Sequence, residues 1–154
     1  MTYPPSNWPA PKNGRKGSTN LSPSEAYDLD YLAGKSVVFT GPTTGLGHAT
    51  MMTIGDLPEA KRPSKVILVG RSQEKLTSIS DFFKKSNIST SIYVGDLQKP
   101  KDIFRICREI KAAEATIDIM GLNAGAWLTY KKREFQEDGF EKMYVVNFLQ
   151  VRFA

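Results

Sequence analysis

The stretch Thr40-Gly41-Pro42-Thr43-Thr44-Gly45-Leu46-Gly47 follows directly on the apolar run Ser36-Val37-Val38-Phe39. The run is rich in β-branched and aromatic residues, which suits a short buried strand. Beyond Gly47 the chain has no proline until Pro58 and reads as a helix. Strand, glycine-rich turn and helix together make half of an anion-binding unit. Glycine lets the backbone turn sharply and approach a ligand with no Cβ in the way. The helix N-terminus then presents unpaired N–H groups and the positive end of its dipole. The spacing Gly-x-x-x-Gly-x-Gly differs from the commoner Gly-x-Gly-x-x-Gly. A bare structural turn is the alternative, and the rest of the chain has to decide between them.

Three more apolar runs follow. Lys65–Gly70 (KVILVG) predicts a second strand, Thr90–Leu97 a third, and Thr116–Gly125 a fourth with the turn after it. Between them lie helical stretches. One carries Leu76, Ile79, Phe82 and Phe83 on one face, the next Ile103, Ile106, Cys107 and Ile110, and EDGFEKMYVVNFLQ begins another. Strands with continuous apolar runs, alternating with helices, predict an α/β domain with a parallel sheet covered on both faces. Right-handed crossovers make it a Rossmann-type doubly wound sheet with ligands at the carboxyl ends of its strands.

The chemistry-bearing residues fall at those ends. After strand two comes Gly70-Arg71-Ser72, where an acid would grip a ribose 2′-hydroxyl; here Arg71 stands instead, with no acid before Glu74. A guanidinium pairs a phosphate bidentately, so NADP(H) is the better electrostatic match than NAD(H), unless Arg71 is simply a solvated helix-start residue. After strand three, Asp96 either accepts from an adenine amino group or caps the next turn. After strand four, Asn123-Ala124-Gly125 lies beside strand one. The sole histidine, His48, sits in the first turn of the glycine-loop helix and is read as packing or phosphate-proximal. No metal-ligand cluster is apparent.

Composition bounds the rest. With 154 residues, 40% of them hydrophobic, the chain can bury a real core. No apolar run approaches the roughly 18–20 residues that span a bilayer. Of the net charge of +5, residues 1–24 supply three (Lys12, Arg15, Lys16, no acid), leaving +2 for the remainder, too balanced to argue for nucleic acid. The single Cys107 excludes an internal disulfide and belongs to an apolar helix face. Residues 1–34 are expected to be a proline-rich basic arm ending in a short helix over about 23–31, capped at Ser22. The arm is either disordered or anchors Tyr3 and Trp8 on a partner. It lacks a secretory h-region, so the cytoplasm or an organelle interior is expected.

Taken together these motifs resemble the short-chain dehydrogenase/reductase family. The resemblance runs from about Lys35 to Leu149, and GLGHAT and EDGFEKMYVVNFL are most similar to its retinol dehydrogenase and light-dependent protochlorophyllide reductase branch. It implies a cofactor site of Thr40, Gly41, Thr43, Thr44, Gly45, Leu46, Gly47, Arg71, Asp96, Leu97, Asn123, Ala124 and Gly125. Leu122 stands where the family's motif has a first Asn, which leaves Asn123 to brace the sheet. Asn147 matches the asparagine of the family's catalytic tetrad. The family continues with a Ser and a Tyr-x-x-x-Lys pair, which do not follow Asn147 in these 154 residues. Tyr31–Lys35 has that spacing but precedes the first strand and is set aside as a chance match. Two expectations follow. One is an NADP(H)-binding domain, truncated after about four strands over residues 35–154 and inactive by itself. The other is an accessory subunit whose partner covers an open sheet edge around Met120, Leu122 and Trp127.

Overall fold

The computed structural model describes residues 29–126, 133–136 and 139–150. The proline-rich arm, all but the end of the predicted helix over 23–31, and Trp127 lie outside the described residues. Asp30–Leu32 form a single 3₁₀ turn before the first strand.

The elements run β1 (Ser36–Thr40), α1 (Gly45–Gly55), β2 (Lys65–Gly70), α2 (Gln73–Lys85), β3 (Ser89–Val94), α3 (Pro100–Ala113), β4 (Ile119–Gly121) and α4 (Lys142–Tyr144), the last continuing as a π-helix over Val145–Leu149. The four strands form one sheet in the order β3-β2-β1-β4, and every pair is parallel. Val37 lies beside Val66 on one side and Ile119 on the other. The α/β reading therefore holds. The chain direction across the sheet reverses between β1 and β4, which opens a crevice at the carboxyl ends of those strands.

Alternation along each strand divides the core in two. Val37, Phe39, Val66 and Leu68 face α1 and α2, where Met51, Ile54, Leu76, Ile79 and Phe83 are buried. Val38, Ile67 and Val69 face Ile103, Ile106 and Ile110 of α3 together with Val145, Val146 and Leu149. Each such side chain is worth about 1.5–3 kcal/mol of apolar burial. Of the face predicted for α2, Leu76, Ile79 and Phe83 are buried, while Phe82 is half-buried and lies over Gly55.

The structure corrects the ends of several elements. β4 is three residues long rather than starting at Thr116. The reason is local: the Ser36 N–H donates to Asp118 Oδ2 (2.8 Å) and the Asp118 N–H to the Ser36 carbonyl, so a side chain occupies the first pairing position of β1. The Ser36 N–H, and less strongly Lys35, hold the Asp118 carboxyl below its usual range. β3 ends at Val94, because the Asp96 N–H turns away to Asp102 Oδ2 (2.8 Å). The last helix is only partly α-helical. Glu141 caps it, accepting from Met143 N (3.0 Å) and Tyr144 N (2.7 Å), and a π turn follows.

At the opposite end of the sheet from the glycine turn, Lys65 Nζ donates to Glu114 Oε2 (2.5 Å) and Tyr93 Oη to Glu114 Oε1 (3.3 Å). The Glu114 side chain is 5% exposed. Burial pushes its carboxyl up, but the bonds from Lys65, Ser91 and Tyr93 and the Lys65 charge outweigh burial and leave it below the usual range. This pair fastens the end of α3 to the sheet.

Candidate functional site

The residues of the TGPTTGLG turn come together with those of the strand-four turn at the β1/β4 crevice. Gly41 has φ +67° and Gly45 φ +55°, conformations that favour glycine. The close approach is tightest at Gly47, where an added Cβ would lie 2.1 Å from the Gly41 carbonyl oxygen. Asn123 Nδ2 donates to the carbonyls of Thr40 (3.2 Å) and Gly41 (3.1 Å), and the Ala124 N–H donates to Thr40 Oγ1 (3.0 Å). The two turns are thus bolted to each other across the switch point, with Asn123 in the bracing position that the family resemblance implied.

Thr44, at the N-cap of α1, makes no side-chain cap bond. The N–H groups of the first turn therefore receive no bond from the N-cap side chain, which suits an incoming anion. A cleft of about 650 Å³ opens in front of them. Gly41, Thr43, Thr44, Leu46 and Gly47 line it from β1 and α1, and Gly70, Arg71, Ser72 and Lys75 from the end of β2 and the start of α2. Asp96, Leu97 and Gln98 line it after β3, and Asn123, Ala124, Gly125 and Ala126 after β4.

Most residues singled out in the sequence thus meet on one cleft. Two lie differently. Thr40 is buried beneath it, its hydroxyl already accepting from Ala124 N, so it supports the turn rather than the cleft wall. Gly45 shapes the turn through its φ and is not in the lining. Asp96 Oδ1 accepts from the Gln98 N–H (3.0 Å), closing its own turn, while the residue also lines the cleft. Sequence reasoning missed Lys75, Gln98, Ala126 and Val146. For Lys75 a signal existed: it stands four residues after Arg71, in the first turn of the helix that follows.

Asn147 sits inside the π turn and grips the strand-four turn twice. Its Oδ1 accepts from the Ala126 N–H (2.9 Å) and its Nδ2 donates to the Ala126 carbonyl (2.8 Å). The π turn has a consequence here, because the extra residue per turn re-aims the side chains of a helix at one place. Gln136 Nε2 donates to the Gln98 carbonyl (2.8 Å), tying the segment before α4 to the wall after β3.

Other candidates lie elsewhere. Tyr31 is exposed on the 3₁₀ turn, and Lys35 reaches Asp118 (3.5 Å), both before β1 and so at the other end of the strands. His48 is exposed on α1 beside a small groove lined by Thr43, Met52 and Lys75. Cys107 is half-buried, and burial pushes its thiol up, away from a reactive thiolate. A mostly apolar cavity of about 560 Å³ lies under α3 and reaches Met120 and Leu122 of the open edge. Among the described residues no three His, Cys, Asp or Glu side chains are grouped to hold a metal, and no helix is long and apolar enough to cross a membrane.

Comparison with known proteins agrees with this geometry. Glucose 1-dehydrogenase of Gluconobacter oxydans is 30% identical over 119 residues, covering 77% of this chain and 43% of that protein. Mouse retinol dehydrogenase 13 is 30% identical over 125 residues, covering 77% of this chain and 34% of that protein. Among solved structures, a short-chain dehydrogenase from Sphingobium yanoikuyae in complex with NADPH superposes with a TM-score of 0.61 at 19% identity, over 77% of this chain and 45% of that one. The chain spans less than half the length of each of these relatives. The sequence profile of the short chain dehydrogenases matches residues 35–152, and it matches the elements that build the cleft. The chain belongs to the short-chain dehydrogenase family.

Proposed function

We propose that the cleft binds a nicotinamide dinucleotide, NADP(H) in preference to NAD(H), as the cofactor-holding part of an oxidoreductase. The observation that carries the reading is the uncapped N-terminus of α1 behind a glycine turn locked to the strand-four turn by Asn123. In this reading the pyrophosphate lies over the first turn of α1, and Gly41, Thr43, Thr44 and Leu46 form its bed. Arg71 and Ser72 face the adenosine ribose, and Asp96 and Leu97 flank the adenine. Asn123, Ala124 and Gly125 carry the nicotinamide side. The solved relative that holds NADPH lends the same reading support by its fold. When bound, the cofactor supplies or receives the hydride.

Arg71 supports the preference for the phosphorylated cofactor, since it is exposed at the cleft and forms no ion pair among the described residues. A charge-assisted bond to phosphate contributes about 1.5–3 kcal/mol, or about ten- to a hundredfold in affinity. Calorimetric titration of the chain with NADPH and NADH tests this. NADPH should bind at least about tenfold tighter, and Arg71→Glu should reverse the order. Equal affinities in the parent chain would overturn the preference.

Asn147, by its match to the family's tetrad, is the one catalytic-machinery residue in this reading, and its grip on Ala126 gives it a positioning role. A second reading, an accessory subunit with the same scaffold, draws on the edge strand β4, where Met120 is 41% exposed. NADPH oxidation that appears only on adding a separate polypeptide would favour it.

A further inference from the structure

The sheet has a second open edge, at β3, which differs from the short β4. In the order β3-β2-β1-β4, β3 has a neighbour on one side only. It runs six residues (STSIYV) in unbroken register with β2, from Ser89 to Val94. Open edges are ordinarily blunted by a charge, a proline, a bulge or shortness, because their free N–H and C=O groups template pairing. β3 has none of these devices. Ile92 and Val94 pack on one half of the core and Tyr93 on the other, so the strand is held in place with its edge open.

The direction of each backbone group follows from the bonds at the two ends of the strand. Ser89 N donates to the Ser64 carbonyl (3.1 Å) and Gly95 N to the Gly70 carbonyl (3.0 Å), so alternate residues from Ser89 onward turn toward β2. Thr90, Ile92 and Val94 therefore turn outward. The Val94 carbonyl bears this out, since it accepts from Arg105 Nη2 of α3 (2.7 Å). The backbone groups of Thr90 and Ile92 and the Val94 N–H have no partner among the described residues.

Two copies of this edge fit each other. Opposed residues of antiparallel strands exchange both bonds, and a two-fold axis through Ile92 sets Ile92 against Ile92 and Thr90 against Val94. That register engages all the outward residues and opposes β-branched side chains, a favourable cross-strand pairing. No charge opposes itself, because β3 carries none. Beside the edge, Arg105 is already paired with Glu109 (3.0 Å) and Asp102 (3.7 Å). We propose that β3 is a self-association surface, through which two copies of this chain join their sheets by antiparallel β3–β3 pairing. The two Ile92 residues then bond each other both ways, and each Val94 N–H donates to the opposite Thr90 carbonyl. Arg105 withholds the Val94 carbonyl from the opposite Thr90 N–H and so limits the strength of the contact.

The test is sedimentation equilibrium of the full chain over a concentration series, with amide hydrogen exchange as the local readout. A reversible monomer–dimer equilibrium is expected. The Ile92 and Val94 amides should gain protection as concentration rises, while those of β4 should not. Ile92→Pro removes a bridging N–H from each copy and should weaken the dimer at least about fivefold. Arg105→Met combined with Glu109→Gln removes the guard and its partner's charge together, frees the Val94 carbonyl and should tighten the dimer by at least about fivefold. Should Ile92→Pro fail to fold, the double variant and the parent's amide exchange still decide. A chain that stays monomeric up to about 1 mM overturns the proposal. So does a dimer that protects β4 amides instead of those of β3, or one that the double variant fails to tighten. Protection of Ile92 and Val94 at every concentration also overturns it, because that marks cover by another part of the same chain.

Discussion

Gly47→Ala is the smallest change that separates the packing role of the glycine turn from its conformational role. The added Cβ would lie 2.1 Å from the Gly41 carbonyl oxygen and 2.6 Å from Asn123 Nδ2, against 3.4 Å for ordinary contact. A backbone carbonyl cannot rotate away, so the whole Gly41 peptide has to move. That movement strains two bonds, from Asn123 Nδ2 to Gly41 O (3.1 Å) and from Gly41 N to Val69 O (2.9 Å). Overpacking costs about 1–3 kcal/mol and each weakened bond about 0.5–1.5 kcal/mol. Alanine recovers about 1 kcal/mol of helix propensity, leaving a net loss of about 1–5 kcal/mol. For a chain of this size that lowers the unfolding midpoint by roughly 2–20 °C. Gly45→Ala makes the contrast. Nothing lies within 4 Å of its Cβ, and only the φ of +55° is unfavourable, so it should cost about 1–2 kcal/mol. Calorimetric unfolding and NADPH titration read both variants. Gly47→Ala should lose at least about tenfold in affinity, because the displaced turn no longer presents its N–H groups together. A Gly47→Ala protein with the parent's unfolding temperature and NADPH affinity would refute the close-packed turn.

Three further outcomes are expected. The Glu114 carboxyl lies lower folded than unfolded, so its contribution to stability is present above about pH 4.3 and is lost as pH falls through the folded value. Glu114→Gln should cost about 1–3 kcal/mol at neutral pH and flatten the acid limb of urea-unfolding curves, and superimposable limbs in parent and variant would count against the pair. Asn147→Ala, which removes both bonds to Ala126, should cost about 1–2 kcal/mol. Asn147→Asp keeps the acceptor for Ala126 N and should lose only part of that; equal losses would show that the acceptor arm contributes nothing. Cys107, half-buried with its thiol pushed up, should react with iodoacetamide at least about tenfold more slowly in the folded chain than in urea, and equal rates would contradict its burial.

Local order in this chain was legible because it is written in short-range chemistry. Short continuous apolar runs announced β1 and β2, and spacing at three and four residues announced the buried faces of α2 and α3. The glycines between β1 and α1 marked the turn because only glycine accepts φ near +60° without strain. The parallel doubly wound sheet followed from the alternation of strands and helices.

The sequence by itself thus determined the strands, the turn and the side of the sheet on which a ligand belongs. Tertiary structure decided the rest, because those features depend on partners distant in the chain. Asp118 ends the pairing of β4 through Ser36, 82 residues away, and Asn123 joins two turns whose sequences hold no trace of each other. Thr40, read as a cofactor residue, proved to be buried support because the Ala124 N–H reaches its hydroxyl. The π turn that aims Asn147 at Ala126 is equally silent in a helical apolar pattern, since one extra residue in a turn leaves that pattern nearly intact. Lys75 joined the cleft for the same reason: only the packing of α2 against the glycine turn brings its position level with Thr43.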